Sequence, residues 1–142
     1  MNKKNFFIKI IILYFFLISD VFAIKKNYFD EGKEFFSKKQ FEKSKIFFEK
    51  DIVFNPKNEK SYLYLAKIFN KKNNDIEEEI NLNNVLVLNP KNDEAIYMLI
   101  LLRIKQSDYL EAKNLIDKFN LVCKSFCQKT SEINDKLDKI TP

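Results

Sequence analysis

Histidine and tryptophan are both absent from this chain of 142 residues. Without histidine, the chain lacks the commonest general base and cannot form the Ser–His or Cys–His pairs of nucleophilic catalysis. Zinc sites that combine cysteine with histidine are excluded for the same reason, and only two cysteines are present. The composition therefore removes these kinds of catalysis and disfavours a metal site, and we expect no cofactor and no metal.

Glycine and arginine each occur once, as Gly32 and Arg103. A single glycine leaves no glycine-rich loop to cradle a phosphate, and β-type alternation is sparse, so the patterning predicts an all-α protein. All other basic residues are lysines scattered along the chain, whereas bidentate recognition of phosphates or bases favours arginine. Nucleic acid is therefore not an expected partner.

Residues 1–23 have the pattern of a secretory signal peptide. Three lysines accompany an unbroken apolar run at residues 10–18, and the residues up to Ala23 approximate the small-x-small cleavage pattern. Cleavage after Ala23 predicts export, with the bacterial periplasm as the expected compartment. The alternative is an uncleaved segment that anchors the chain, and only in that case do we expect contact with a membrane.

The tetrapeptide Asn-Pro-Lys-Asn occurs twice, with its prolines at Pro56 and Pro90. Proline prevents the preceding helix from continuing, and the interval between the two prolines matches the period of about 34 that is typical of stacked helical hairpins. We expect repeats over residues 24–120 and a capping helix region over residues 121–142. The predicted hairpins pair residues 26–37 with 40–54, the segments on either side of 73–74, and residues 93–105 with 108–119, before a last helix at 128–140.

Two N-caps can be predicted at the turns inside the hairpins. Asp75 is expected to cap one helix, with Glu78 completing an acidic capping box. Ser107 is expected to cap another helix. Residues 77–79, all glutamates, are expected to form a solvated first turn that compensates the helix dipole.

At these residues the chain resembles the tetratricopeptide repeat (TPR) family, whose hairpins carry aromatic and small residues at fixed offsets before a closing proline. The first hairpin carries Tyr28, Gly32, Phe35, Ser44, Phe48 and Pro56, and the second carries Tyr62, Leu65, Ala66, Phe69, Leu82 and Pro90. The third keeps Leu99, Tyr109, Ala112 and Ile116. Three positions depart from the pattern: Glu78 and Ile100 stand where small residues belong, and Arg103 replaces a tyrosine. The resemblance implies about three antiparallel helical hairpins and a C-terminal capping helix.

The resemblance also implies a concave groove lined by the first helices of the hairpins. The residues expected to face it are Phe29, Lys33, Phe36, Leu63, Lys67, Lys71, Tyr97, Leu101 and Ile104. Such a mixed apolar and cationic surface suits an extended peptide or a helix of a protein partner, although lysines on a helix face are usually only solvated. Phe29 and Glu94 occupy two basic positions of the repeats that clamp chaperone tails, so that activity is disfavoured.

Residues 95–102 are apolar without interruption, which indicates a helix buried on all sides. We favour coverage by the neighbouring hairpin and the last helix, because terminal repeats need capping. The alternative is self-association through residues 95–104, as in a structural or envelope-assembly component. The sequence does not decide the oligomeric state.

Cys123 and Cys127 lie between the repeats and the last helix. Export would place them in an oxidising compartment, so we favour a structural disulfide, with free thiols and redox chemistry as the alternatives. Together these features predict an exported, non-enzymatic repeat protein that binds a protein or peptide along its concave face.

Overall fold

The computed structural model describes residues 27–138 of the chain. Over these residues it contains seven α-helices, one short 3-10 helix and no strand, which confirms the all-α prediction. The helices are α1 (Tyr28–Ser37), α2 (Phe41–Phe54), α3 (Glu59–Lys71), α4 (Asp75–Leu88), α5 (Asp93–Lys105), α6 (Tyr109–Val122) and α7 (Thr130–Asp138), with the 3-10 helix at Cys127–Lys129. The predicted signal peptide and the predicted end of the last helix at residue 140 lie outside the described residues.

The helices pair in sequence order and the pairs stack. Helix α1 packs on α2, α3 on α4 and α5 on α6, while contacts of α2 with α3 and of α4 with α5 join consecutive hairpins. Helix α7 packs against α5 at the end of the stack. The structure thus confirms three antiparallel hairpins followed by a C-terminal capping helix.

The turns inside the three hairpins share one backbone conformation, which recurs at the period of the repeat. Lys39, Asn73 and Ser107 follow one another at the interval that separates the two prolines, and their φ angles are 57°, 53° and 62°. After each of them, the next residue donates its N–H to a carbonyl five residues earlier, as from Asp108 to Arg103 at 2.9 Å. This is the Schellman arrangement, in which a left-handed residue ends the first helix and reverses the chain.

The left-handed residues explain why both predicted N-caps are wrong. Ser107 is itself the left-handed residue, and the cap is Asp108, whose side chain accepts the Glu111 N–H at 3.2 Å. Likewise Asn74, and not Asp75, accepts the Glu77 N–H at 3.2 Å. In each Schellman turn the left-handed residue reverses the chain, so the N-cap of the next helix is the residue that follows it.

The two Asn-Pro-Lys-Asn turns end α2 at Phe54 and α4 at Leu88, as the prolines predicted. In the first turn, the buried Asp51 carboxylate accepts from Asn55 Nδ2 at 2.9 Å, Asn58 Nδ2 at 2.6 Å and Ser61 Oγ at 2.5 Å. Three donors satisfy this carboxylate, as a buried charge requires.

In the second turn, Val85 and Ala95 take the places of Asp51 and Ser61. Asn92 there caps α5 by accepting the Ala95 N–H at 2.9 Å. The same tetrapeptide is therefore held by a buried carboxylate network in one copy and by a helix cap in the other.

Two apolar clusters form the core. The first hairpin and α3 build an aromatic cluster around Phe48, Leu65, Ile68 and Phe69, and a larger cluster joins the second and third hairpins to Ile133 of α7. In the first cluster α1 approaches α2 closely at Gly32, where a Cβ atom would lie 2.7 Å from Phe48 Cε1. Only glycine permits this approach without displacing a fully buried ring.

Candidate functional site

A pocket of about 370 Å³ opens on the side of the stack to which α1, α3 and α5 contribute. Its lining residues are Phe36 of α1, Lys67, Asn70 and Lys71 of α3, Glu78 of α4, and Glu94, Tyr97, Met98 and Leu101 of α5. The first helices of all three hairpins therefore meet around one cavity, since helix pairs that stack with a constant rotation bring equivalent faces together.

The structure brings five of the nine predicted groove residues to this pocket: Phe36, Lys67, Lys71, Tyr97 and Leu101. Leu63 and Ile104 belong to the larger core cluster and are buried there, because neighbouring helices close over them. Phe29 is half-buried, with its ring centroid 5.9 Å from those of Phe48 and Tyr64. Lys33 is exposed, with Nζ 5.6 Å from the Phe29 ring centroid.

The lysines of the pocket differ in how far they are neutralised. Lys67 Nζ lies 2.6 Å from Glu94 Oε1 and 5.0 Å from the Tyr64 ring centroid, so this cation already has a carboxylate partner. Lys71 Nζ lies over the Phe41 ring at 5.5 Å and has no carboxylate partner within the described residues. Lys71 is consequently the cation of this pocket with most capacity for an incoming anion.

Glu78 gives the pocket a buried carboxyl group that the sequence reasoning missed. Its side chain is 1 % exposed, and both carboxyl oxygens lie 3.1 Å from Asn70 Nδ2. Burial raises the pKa of Glu78 above its ordinary value, and the hydrogen bond from Asn70 only partly opposes this. Its burial could have been predicted from its position in the repeat, where a small residue is expected. A glutamate at that position has to be accommodated between α3 and α4.

The prediction that residues 77–79 form a solvated turn is therefore wrong for Glu78, and Glu79 also has a partner. Glu79 Oε2 accepts from Arg103 Nη1 at 2.9 Å, and its Oε1 accepts from Nη2 at 2.5 Å. These hydrogen bonds hold the pKa of Glu79 below its ordinary value. The bidentate pair joins α4 to α5 next to the pocket, which accounts for arginine at a position where the family has tyrosine.

Helix α7 covers one end of α5, as expected of a capping helix. The Tyr97 hydroxyl donates to Glu132 Oε1 at 2.9 Å, and Lys129 Nζ lies 2.7 Å from Glu132 Oε2. Burial and the neighbouring Glu132 carboxylate raise the pKa of Tyr97. Since Ile133 is fully buried as well, most of the α5 surface considered for self-association lies inside the fold.

The loop before α7 is fixed at two points. Asp93 Oδ2, at the start of α5, accepts the backbone N–H groups of Lys124 at 2.8 Å, Ser125 at 2.6 Å and Phe126 at 3.0 Å. Burial acts to raise the pKa of Asp93, but these donors outweigh it and the pKa is lowered. A disulfide joins Cys123 to Cys127 across the same loop, with their Cα atoms 5.3 Å apart. Both constraints hold α7 against α5.

Within residues 27–138, none of the helices has the length and apolar composition that crossing a bilayer demands. The same residues contain no group of three or more side chains arranged to hold a metal ion.

No protein-family model and no curated protein matches the sequence. Solved structures do: the chain is similar to the first TPR of Spaghetti (RPAP3) bound to HSP90 peptide SRMEEVD, with a TM-score of 0.70, 15 % identity, and coverage of 80 % of this chain and 92 % of that one. For the TPR2B domain of yeast Sti1 in its complex with pHsp70, the TM-score is 0.74, the identity 17 %, and the coverage 82 % and 97 %. For the Sgt2 TPR domain from Aspergillus fumigatus, the corresponding values are 0.66, 17 %, 79 % and 78 %. At these identities the likeness shows the fold, which is that of a TPR domain.

Proposed function

We propose that this protein is a non-enzymatic scaffold that binds a protein or peptide partner on the face formed by α1, α3 and α5. The observation that carries the proposal is the pocket in which the first helices of all three hairpins meet. Two of the similar structures are complexes, that of Spaghetti with an HSP90 peptide and that of the Sti1 TPR2B domain with pHsp70, which supports a peptide-binding use of this fold.

The pocket favours a partner that inserts an apolar side chain. Phe36, Met98 and Leu101 line it and are half-buried, so each retains apolar surface to cover. A buried leucine-sized side chain contributes about 1.5–3 kcal/mol, against about 0.2–1 kcal/mol for an exposed ion pair. Affinity is therefore expected to come from apolar insertion, with a neighbouring carboxylate of the partner meeting Lys71.

Strongly acidic tails fit this face less well. Glu78 and Glu94 both line the pocket, and Lys67 is already paired with Glu94. Of the two lysines in the pocket, only Lys71 has no carboxylate partner among the described residues. Consecutive carboxylates of a peptide would therefore exceed the available positive charge, and contact between like charges disfavours binding. We therefore propose an apolar partner segment with few acidic residues, unlike SRMEEVD.

Site-specific photocrosslinking tests the proposal. A photoreactive phenylalanine analogue at Leu101 is expected to crosslink a partner in cells, and the same analogue at Leu110, an exposed residue at the start of α6, is the matched control. Met98→Glu should abolish the crosslink from position 101 while the far-ultraviolet circular dichroism stays unchanged. Equal crosslinking from both positions would contradict the proposal, and a crosslink to a second copy would favour self-association.

Export is part of the proposal. The signal-like residues 1–23 support it, and a disulfide at Cys123 and Cys127 suits the oxidising bacterial periplasm. N-terminal sequencing of the protein from fractionated cells should give a chain that starts at Ile24 in the periplasmic fraction. A chain that starts at Met1 in the membrane fraction would instead identify an uncleaved anchor.

A further inference from the structure

Exposed apolar residues recur with the period of the repeat on the second helices of the hairpins. Val53 of α2, Val87 of α4 and Leu121 of α6 are separated by the same interval as the two prolines, and their side chains are 75 %, 79 % and 86 % exposed. Phe54 and Leu88, which follow the first two, are also exposed. A single exposed apolar residue needs no explanation. Exposed apolar residues at equivalent positions of successive hairpins, however, form a continuous line along the stack. We call these five residues the apolar ridge.

The ridge lies at the edge of the stack where the N-terminal segment joins it. Its residues occupy the last turns of α2, α4 and α6, and α1 begins at the same edge because the hairpins are antiparallel. A direct contact places this start: the ring of Tyr28 stacks on that of Phe54, with centroids 5.4 Å apart. The described part of the chain therefore begins beside the ridge, and the apolar run at residues 10–18 precedes this point in the sequence.

Lysines accompany each part of the ridge. Lys57 follows Val53 by four residues, Lys91 follows Val87 by four, and Lys124 follows Leu121 by three; all three lysines are exposed. None of them has an ion-pair partner among residues 27–138. Apolar side chains next to free lysines are the composition of surfaces that lie in the interface of an anionic bilayer.

The carboxylates next to these turns are engaged within the fold. Asp51 is bonded to side chains of the first turn, Glu59 Oε1 accepts from Asn89 Nδ2 at 3.1 Å, and Asp93 receives three backbone N–H groups. Their charges are thus directed inward, while the lysines of the same turns project outward. These turns therefore present cations and apolar groups, while Asp30 in the first turn of α1 and Asp117, one helical turn before Leu121, are exposed acids near them.

We propose that the apolar ridge and its lysines dock on the surface of an anionic lipid bilayer. In the proposed export the signal-like run would enter the membrane, and the chain then joins the described domain at the edge that carries the ridge, which supports a bilayer as the occupant. The composition of the ridge does not depend on export. Because the pocket lined by α1, α3 and α5 is separate from the ridge, docking would leave that pocket open to a partner.

The absence of tryptophan permits a sharp test on the full chain. Val87→Trp places a single fluorescent reporter on the ridge, and Leu110→Trp places one on a residue of similar exposure, 76 %, at the opposite edge. Both variants are mixed with vesicles of phosphatidylglycerol and brominated phosphatidylcholine, and with vesicles of brominated phosphatidylcholine alone. We expect a blue shift and quenching of the ridge reporter on the anionic vesicles, and neither for the control reporter.

The lysines supply the second arm. Lys57→Gln combined with Lys91→Gln should lower the ratio of docked to undocked chains about 25-fold, since each lysine near an anionic surface contributes about fivefold. Equal quenching of the two reporters would overturn the proposal. A blue shift without vesicles would also overturn it, by identifying a second copy if the shift depends on protein concentration, or the N-terminal run if it does not. Crosslinking from Leu101 is measured separately, so either proposal can fail alone.

Discussion

Glu78 and Glu79 are neighbours on α4, and the structure predicts that replacing each by glutamine changes stability in opposite directions. Glu78 is almost fully buried, with an amide as its hydrogen-bond donor, whereas Glu79 forms a bidentate pair with Arg103. The pKa of Glu78 is raised by burial, and that of Glu79 is lowered by its hydrogen bonds to the guanidinium. The two glutamines therefore make a matched pair of variants.

For Glu78, the folded chain holds the proton more tightly than the unfolded chain, whose carboxyl group titrates near 4.5. Stability should fall as the pH rises from that value to the raised folded pKa, and should then stay low. Glutamine is neutral throughout and still accepts from Asn70. With 1 % exposure there is little screening by solvent, so Glu78→Gln should stabilise the fold by about 1–3 kcal/mol near pH 7 and by almost nothing at low pH.

For Glu79, the lowered folded pKa gives stability that is present above the unfolded pKa and is lost as the pH falls through the folded one. Glu79→Gln should cost about 1 kcal/mol near pH 7, after allowance for the partial exposure of the pair. The cost should disappear in acid.

Urea unfolding followed by circular dichroism over about pH 4–8 measures both effects. The absence of histidine helps, because no side chain of ordinary pKa titrates between about pH 5.5 and 8. A loss of stability as the pH rises above about 4.5 that Glu78→Gln removes would confirm the reasoning. If Glu78→Gln destabilises the protein near pH 7, or leaves the slope unchanged, the buried carboxyl group does not act as argued.

Three further variants test the packing and the turns. Gly32→Ala should lower the free energy of unfolding by about 1–3 kcal/mol, because its Cβ would lie 2.7 Å from the buried Phe48 ring; an unchanged thermal midpoint would contradict this. Asp93→Asn should cost about 1–3 kcal/mol and speed hydrogen exchange of the three amides it accepts, unlike the exposed control Asp117→Asn. Ser107→Gly should stabilise by about 0.5–1 kcal/mol, since φ is 62° there, and a loss of stability would refute the left-handed turn.

The helices could be predicted from the sequence because local rules place their ends. The segment expected at residues 40–54 is the helix Phe41–Phe54, and that expected at residues 93–105 is Asp93–Lys105. The N-caps were predicted less accurately than the helices. The left-handed residues before them are lysine, asparagine and serine, whereas a glycine would have marked the turn. Their regular spacing, equal to that of the two prolines, was the remaining signal.

The pocket was harder to predict than the fold. Helical periodicity assigns residues to a face, but it does not show how deeply the next hairpin covers that face. Tyr97 and Ile104 are equally buried and both belong to the larger core cluster, yet of the two only Tyr97 also lines the pocket. That difference depends on the rotation between successive hairpins, and local sequence patterns do not predict this rotation.

Two departures from the repeat pattern act on adjacent contacts of α4, one with α3 inside the second hairpin and one with α5 of the third. Glu78 occupies a position where the family has a small residue, so α4 carries a buried carboxyl group towards the pocket. One residue on, Glu79 reaches across to Arg103, which itself stands where a tyrosine is expected. Arg103 Nε is buried without a hydrogen-bond partner among the described residues, so the Nη atoms alone bind the guanidinium to its acceptors. The second hairpin and its junction with the third are therefore polar where the family packs small and aromatic residues, and Glu78 carries this polarity into the proposed binding pocket.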